Sequence, residues 1–115
     1  MLGRGDILGA DDLRTEEVNV PEWGGSVRVR SMTGCQREQF EQAVRDRRVA
    51  NPTEPAMRAL LVAYSCCDES GEPLFKEADL DRLSAKSGVA LERVATVAAK
   101  LSLLTDASIE EASKN

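Results

Sequence analysis

Residues 16–30 read Glu-Glu-Val-Asn-Val-Pro-Glu-Trp-Gly-Gly-Ser-Val-Arg-Val-Arg, and no other stretch limits the fold as much. Val18 and Val20 alternate with polar residues, as do Val27 and Val29, and Pro21, Trp23, Gly24 and Gly25 lie between them. Period-two alternation on both sides of a Gly-rich turn predicts a β-hairpin. The strands are expected over about 14–20 and 26–32, with the valines on one face and Asn19, Arg28 and Arg30 on the other. Glu17 is then placed to pair across the strands with Arg28 or Arg30. An isolated hairpin is marginal in water, so its valine face must pack on the rest of the chain.

The rest of the chain reads as helix. Asp6 is expected to cap a short turn carrying Ile7 and Leu8 ahead of the hairpin. After it, Thr33-Gly-Cys-Gln36 has the spacing of a capping box, opening a helix to about residue 48 with Phe40, Ala43 and Val44 on a narrow apolar stripe. Asn51-Pro-Thr-Glu-Pro55 breaks it. Thr53 then caps a second helix with Pro55 in its first turn. That helix, about 54–67, is apolar nearly all round, with Arg58 the one charge in its middle, as expected of a buried centre. Asp68 to Pro73 is a polar turn, followed by Leu74 and Phe75 as a short apolar anchor. A helix start is read at 76–79 with Leu80 and Leu83 beyond it. Ser87 and Gly88 cap the longest helix, about 89–103, in which Val89, Ala90, Val94, Val97, Ala98 and Leu101 recur at spacings of three and four. A weak last helix is read from 105 or 106 to 114.

The 115 residues suffice for one domain and not comfortably for two. With 42% hydrophobic and only 3% aromatic residues, the core must be built from Ala, Val and Leu, which suits helix packing. The expected fold is therefore α+β and mostly α-helical: an N-terminal β-hairpin packed on four to five helices. Residues 1–115 form a single domain in this reading: 1–32 the N-terminal segment and hairpin, 33–104 the helical body, 105–115 a weak C-terminal helix or tail.

Composition excludes more than it suggests. Twenty acidic and fifteen basic residues leave a net charge of −5, which repels phosphate backbones and argues against nucleic acid as a partner. Arg45, Arg47 and Arg48 share their segment with Asp46 and read as a solvated helix end. There is no histidine, hence neither the commonest general base near neutral pH nor the commonest metal ligand. Cys35, Cys66 and Cys67 are too few and too oddly spaced for a disulfide framework and fit a reducing cytoplasm. Nothing reads as a signal peptide, and no apolar run approaches the ~20 residues of a membrane span.

The search for chemistry finds little. Asp68, Ser70 and Glu72 alternate as in a calcium loop, but Pro73 and Leu74 interrupt the twelve-residue pattern, so an ordinary turn is expected. Cys66 and Cys67 are placed at a helix C-terminus before two acids, a setting that raises thiol pKa, and read as buried small residues. Cys35 lies in a first helical turn near Arg37 but lacks a histidine partner, and reads as an inert, half-buried thiol. Carboxylate pairs such as Asp79 with Asp81 and Glu110 with Glu111 read as solvated faces. Neither Gly3-Arg-Gly5 nor Gly24-Gly25 has the surroundings of a phosphate loop. No catalytic, cofactor-binding or metal-ligating residue is assigned. A binding surface remains. Trp23 at the hairpin tip reads either as a contact anchor or as a lid on the small core. Leu103 and Leu104, beside Leu101, give the last long helix more apolar surface than one face needs, so these three leucines are candidate contact residues unless the weak last helix covers them through Ala107 and Ile109.

Read in order, the segments carry a resemblance. They are Asp6-Ile-Leu8; Glu17-Val-Asn-Val-Pro-Glu-Trp-Gly-Gly25; Val27-Arg-Val-Arg30 and Met32-Thr-Gly34; a helix with Phe40; an apolar helix up to Cys67; Asp68-Glu-Ser-Gly-Glu-Pro-Leu-Phe75; Leu83-Ser-Ala-Lys-Ser87; and Ala99-Lys-Leu-Ser-Leu-Leu104. Over nearly its full length this chain resembles the tail assembly chaperones of long-tailed, siphovirus-type bacteriophages and prophages. The resemblance implies a non-enzymatic assembly factor of the host cytoplasm, absent from the mature virion. It implies that the factor binds the tape-measure protein and self-associates into a ring or spiral. A frameshifted longer form and the tail-tube subunit are further implied partners. It fixes no set of binding residues. Two alternatives stay open on sequence: a head–tail joining or tail-completion protein retained in the particle, and a small regulatory, antitoxin-like binding protein.

Overall fold

The computed structural model describes residues 1–50 and 56–104. The hairpin forms where the valines alternate. β1 (Thr15–Val20) and β2 (Gly25–Arg30) are antiparallel, with Val18 opposite Val27 and Glu17 opposite Arg28. Val18, Val20 and Val29 are buried and Val27 is half-buried, so the valines share the inner face. On the outer face the Arg28 guanidinium lies 3.8 Å from the Glu17 carboxylate. The strands are joined by a 3-10 turn, Pro21–Trp23, which Gly24 ends at φ 75°, a left-handed conformation open to glycine.

The helices close over this face. A short exposed helix, α1 (Arg4–Leu8), precedes the hairpin, with the Asp6 carboxylate accepting from the Gly3 N–H at 2.9 Å. The predicted capping box opens α2 (Gly34–Ala50): the Gln36 N–H donates to Thr33 Oγ1 at 3.1 Å, and the Thr33 N–H donates to Gln36 Oε1 at 3.0 Å. Phe40, Ala43 and Val44 are its buried residues, the narrow stripe read from sequence. α3 (Met57–Ser65) buries six of its nine residues and touches α2, α4 (Leu80–Ser84) and α5 (Gly88–Leu101). α5, capped by the Ser87 hydroxyl, lies across β1 and β2 and inserts Ala90, Val94 and Ala98 into the core.

One expectation of secondary structure fails. The apolar run ending at Cys67 reads as helix throughout, but α3 stops at Ser65, and Cys66–Cys67 form β3, antiparallel to β2. The hairpin is therefore two strands of a three-stranded sheet, ordered β1-β2-β3. A run that is apolar on every side has no period to separate strand from helix. The deciding element is β2, whose second edge would otherwise hold unpaired N–H and C=O groups. The predicted caps at Thr53 and Pro55, and the predicted helix over 105–114, lie outside the described residues.

The turn after β3 is built on Asp68. One carboxylate oxygen accepts from the Ser70 N–H and hydroxyl and from the Glu72 N–H, at 2.7 to 3.0 Å. Those bonds hold the carboxyl below the usual carboxylate range, the Ser70 hydroxyl contributing most. This is the ordinary turn expected in place of a calcium loop. Gly71 there adopts φ 89°, and a Cβ would lie 2.5 Å from the Arg30 guanidinium. The guanidinium can swing aside, so backbone strain dominates. Gly71→Ala should lower stability by about 1–2 kcal/mol in urea denaturation. Gly25→Ala, where an added Cβ meets nothing within 4 Å, should change it by less than about 0.5 kcal/mol.

Candidate functional site

The thiols are not a site. Cys66 and Cys67 are buried in β3, and the Cys66 thiol is pushed up to about 12, by burial first and then by Cys67. Burial, rather than a helix end, is thus the cause. Cys35 is exposed on the first turn of α2, not half-buried as expected, because that turn faces away from the stripe carrying Phe40. Thiol titration of the native protein should therefore count one fast-reacting group, and three only after unfolding. Among the described residues no cluster of acidic, cysteine or histidine side chains is placed to hold a metal ion. No helix among them is long and apolar enough to cross a membrane.

The surface is more informative. The Ser31 N–H donates to the Arg14 carbonyl at 2.8 Å, which makes 14 and 31 a hydrogen-bonded pair. The register then gives 16 with 29, 18 with 27 and 20 with 25 the same kind of pairing. Thr15, Glu17 and Asn19 consequently turn their N–H and C=O groups away from β2. All three are exposed, and among the described residues β1 has one strand neighbour, so β1 is an open edge there.

A second feature lies between α2 and the segment from Phe75 to Leu80. Two hollows of about 210 and 220 Å³ lie side by side and share Leu60, Glu77 and Leu80 in their lining. Gln36, Gln39, Ala43, Asp46 and Ala50 form one wall, recurring at spacings of three and four along α2. From 36 to 50 that wall spans about 21 Å at a helical rise of 1.5 Å per residue. Tyr64 and Phe75 line the other end. The Tyr64 ring packs edge-to-face on Phe40, centroids 6.1 Å apart. Burial raises its phenol pKa, and the Glu77 charge adds to the effect. Arg47 reaches from α2 to Asp81 on α4 at 3.3 Å. Sequence periodicity does not reveal this groove, because its walls come from segments some forty residues apart.

The predicted contact residues lie in two places. Trp23 is half-buried at the hairpin tip and packs against the core, as a lid does. Its neighbour Glu22 accepts from Arg93 Nε on α5 at 3.0 Å, fastening the tip to the helix. Leu101 and Leu104 are partly buried against the core, whereas Leu103 between them is 74% exposed. The structure thus brings the three leucines together at the end of α5 and leaves Trp23 apart from them at the hairpin tip, next in sequence to the Glu22 that Arg93 holds. Leu103 has φ 54°, left-handed backbone that costs a leucine about 1–2 kcal/mol.

Glu22 carries a pH prediction. A hydrogen bond from its own backbone, then the Arg93 guanidinium, holds its carboxyl below the ordinary value. A carboxyl depressed in the folded state contributes stability that is present above its unfolded value, about 4.3. That contribution is lost as pH falls through the folded value. Glu22→Gln should therefore flatten the acid limb of the stability curve and leave the neutral plateau less stable. Fluorescence of Trp23, the chain's one tryptophan, reports both.

The class so defined is a small α+β binding domain, helices over one face of a three-stranded sheet, whose open features are an edge strand and a helix-lined groove. The chain belongs to the phage tail assembly chaperone family, whose model matches residues 9–115. Its fold is similar to that of the bacteriophage HK97 tail assembly chaperone, at a TM-score of 0.59 and 22% identity over 84% of this chain and 88% of that one. At that identity the likeness is one of fold. No curated protein sequence matches the chain. The family's role is a chaperone's, not a catalyst's.

Proposed function

We infer that this tail assembly chaperone binds the tape-measure protein as a helix laid in the groove between α2 and the Phe75–Leu80 segment, and that it self-associates along the bound partner. The observation that carries the reading is the groove itself: hollows that open to solvent along about four turns of α2, with the buried Leu60 and Leu80 beneath them and Tyr64 and Phe75 at one end. Helix-in-groove docking needs such a floor and a length matching i, i+3, i+4 and i+7 anchors. A long helical protein awaiting its tube needs its apolar stripe covered, and many copies are required to cover it. The open β1 edge offers one route for copy to meet copy. Net charge of −5 keeps the assembled array soluble. The chaperone acts in the host cytoplasm, leaves before the virion matures, and is accompanied by a frameshifted longer form and the tail-tube subunit.

Co-expression tests this. The tape-measure protein encoded beside this chain should be soluble with the wild type and insoluble with Gln39→Arg, a charge placed on the exposed groove wall. Both chaperones should melt within a few degrees of one another. Equal solubility with the variant removes the groove from the mechanism, and stoichiometric recovery of this chain from purified virions removes the chaperone's departure.

A further inference from the structure

The end of α5 holds an arrangement that folding alone does not require. The Leu104 N–H donates to the Ala99 carbonyl at 2.8 Å and the Leu103 N–H to the Lys100 carbonyl at 3.2 Å. This is the paired-bond helix stop in which glycine normally takes the left-handed position. Here Leu103 takes it, with φ 54°, and its side chain is 74% exposed. Its neighbours Leu101 and Leu104 turn inward. Leucine at this position is strained, and most of its surface is left uncovered among the described residues.

Leu103 stands at the lip of a groove of about 370 Å³ and forms part of its lining. Leu13, Met32 and Leu101 supply its apolar wall. Its polar walls are largely engaged already. Ser31 Oγ accepts from the Arg14 N–H, and Ser102 Oγ accepts from the Met32 N–H. Thr33 closes the α2 cap, while Arg37 donates to the Ser102 carbonyl and faces Glu41. The groove is left with apolar surface to offer. Its rim carries Asp12, and Lys100 lies one turn before Leu103; neither has an ion-pair partner among the described residues.

We propose that Leu103 and this groove are the two halves of a contact between copies of this chain, each copy's Leu103 entering the groove of the other. A knob and a socket side by side on one surface are self-complementary, as a two-fold interface requires. Lys100 brought to the partner's rim meets Asp12, an opposite charge. The contact rests on the self-association inferred above and supplies one of its joints, pairing two copies while the β1 edge remains to extend the array. It also accounts for a leucine where glycine would relieve the backbone.

Sedimentation velocity on the full chain across a concentration series tests it, with melting temperature measured alongside. Leu103→Gly should melt at or above the wild-type temperature, because strain is relieved, yet associate at least tenfold more weakly. Leu103→Asp should fold normally and associate least. Lys100→Glu should weaken association, and adding Asp12→Lys should restore it. A wild type that associates while Leu103→Gly and Leu103→Asp associate equally well overturns the contact and leaves self-association standing. A wild type that stays monomeric throughout removes self-association and this contact together. Loss of tape-measure solubilisation in Leu103→Asp with association unchanged assigns the groove to that partner and overturns the proposal.

Discussion

The fold depends on α3 having almost nothing polar to show to water beyond Arg58. Its residues from Ala59 to Ala63 are all buried, and at about 1.5–3 kcal/mol for each large aliphatic side chain their burial outweighs any single surface contact. A nine-residue helix cannot satisfy that demand alone. It recruits α2 on one flank, α4 on another and α5 on a third. The valine face of the hairpin has the same need, and α5 meets both, lying against α3 and across β1 and β2. Small residues make this double role possible: Ala90, Ala95 and Ala98 let α5 approach its neighbours closely.

Because the interior is filled by mutual need among short elements, function is left to the surfaces that the elements do not cover. α2 spends only a narrow stripe on the core, so its flank from Gln36 to Ala50 becomes the wall of a groove. β1 lies at the sheet margin, with one row of its peptide groups not paired to any strand among the described residues. A layout of this kind offers surfaces for contact, and the family to which the chain belongs is one of chaperones. Surface ion pairs such as Arg58 with Glu92, 3.7 Å apart, add little to stability but help set which elements meet.

Much of this is legible in the residues. The two valine pairs, the Thr33–Gln36 box, the Ser87 cap and the periodic apolar face of α5 are local signals, and each appears where the spacing places it. The misses are non-local. Nothing local in Cys66-Cys67 says strand; that is decided by the free side of β2, some forty residues earlier. Leu103 shows the same limit in another form. Left-handed helix stops are recognised by glycine, and a leucine there carries no written mark. The groove joins α2 to a segment that no periodicity links to it.

Ser102 gives the architecture a timetable. Its hydroxyl and carbonyl receive the Met32 N–H and the Arg37 guanidinium, contacts that span 70 and 65 residues. The junction between the sheet and α2 is therefore fastened by a residue made long after it. During synthesis the hairpin emerges first and has no helix to cover its valines until α5 leaves the ribosome. Such distant pairings are slow to close, and the chain spends its early life with its own apolar face uncovered.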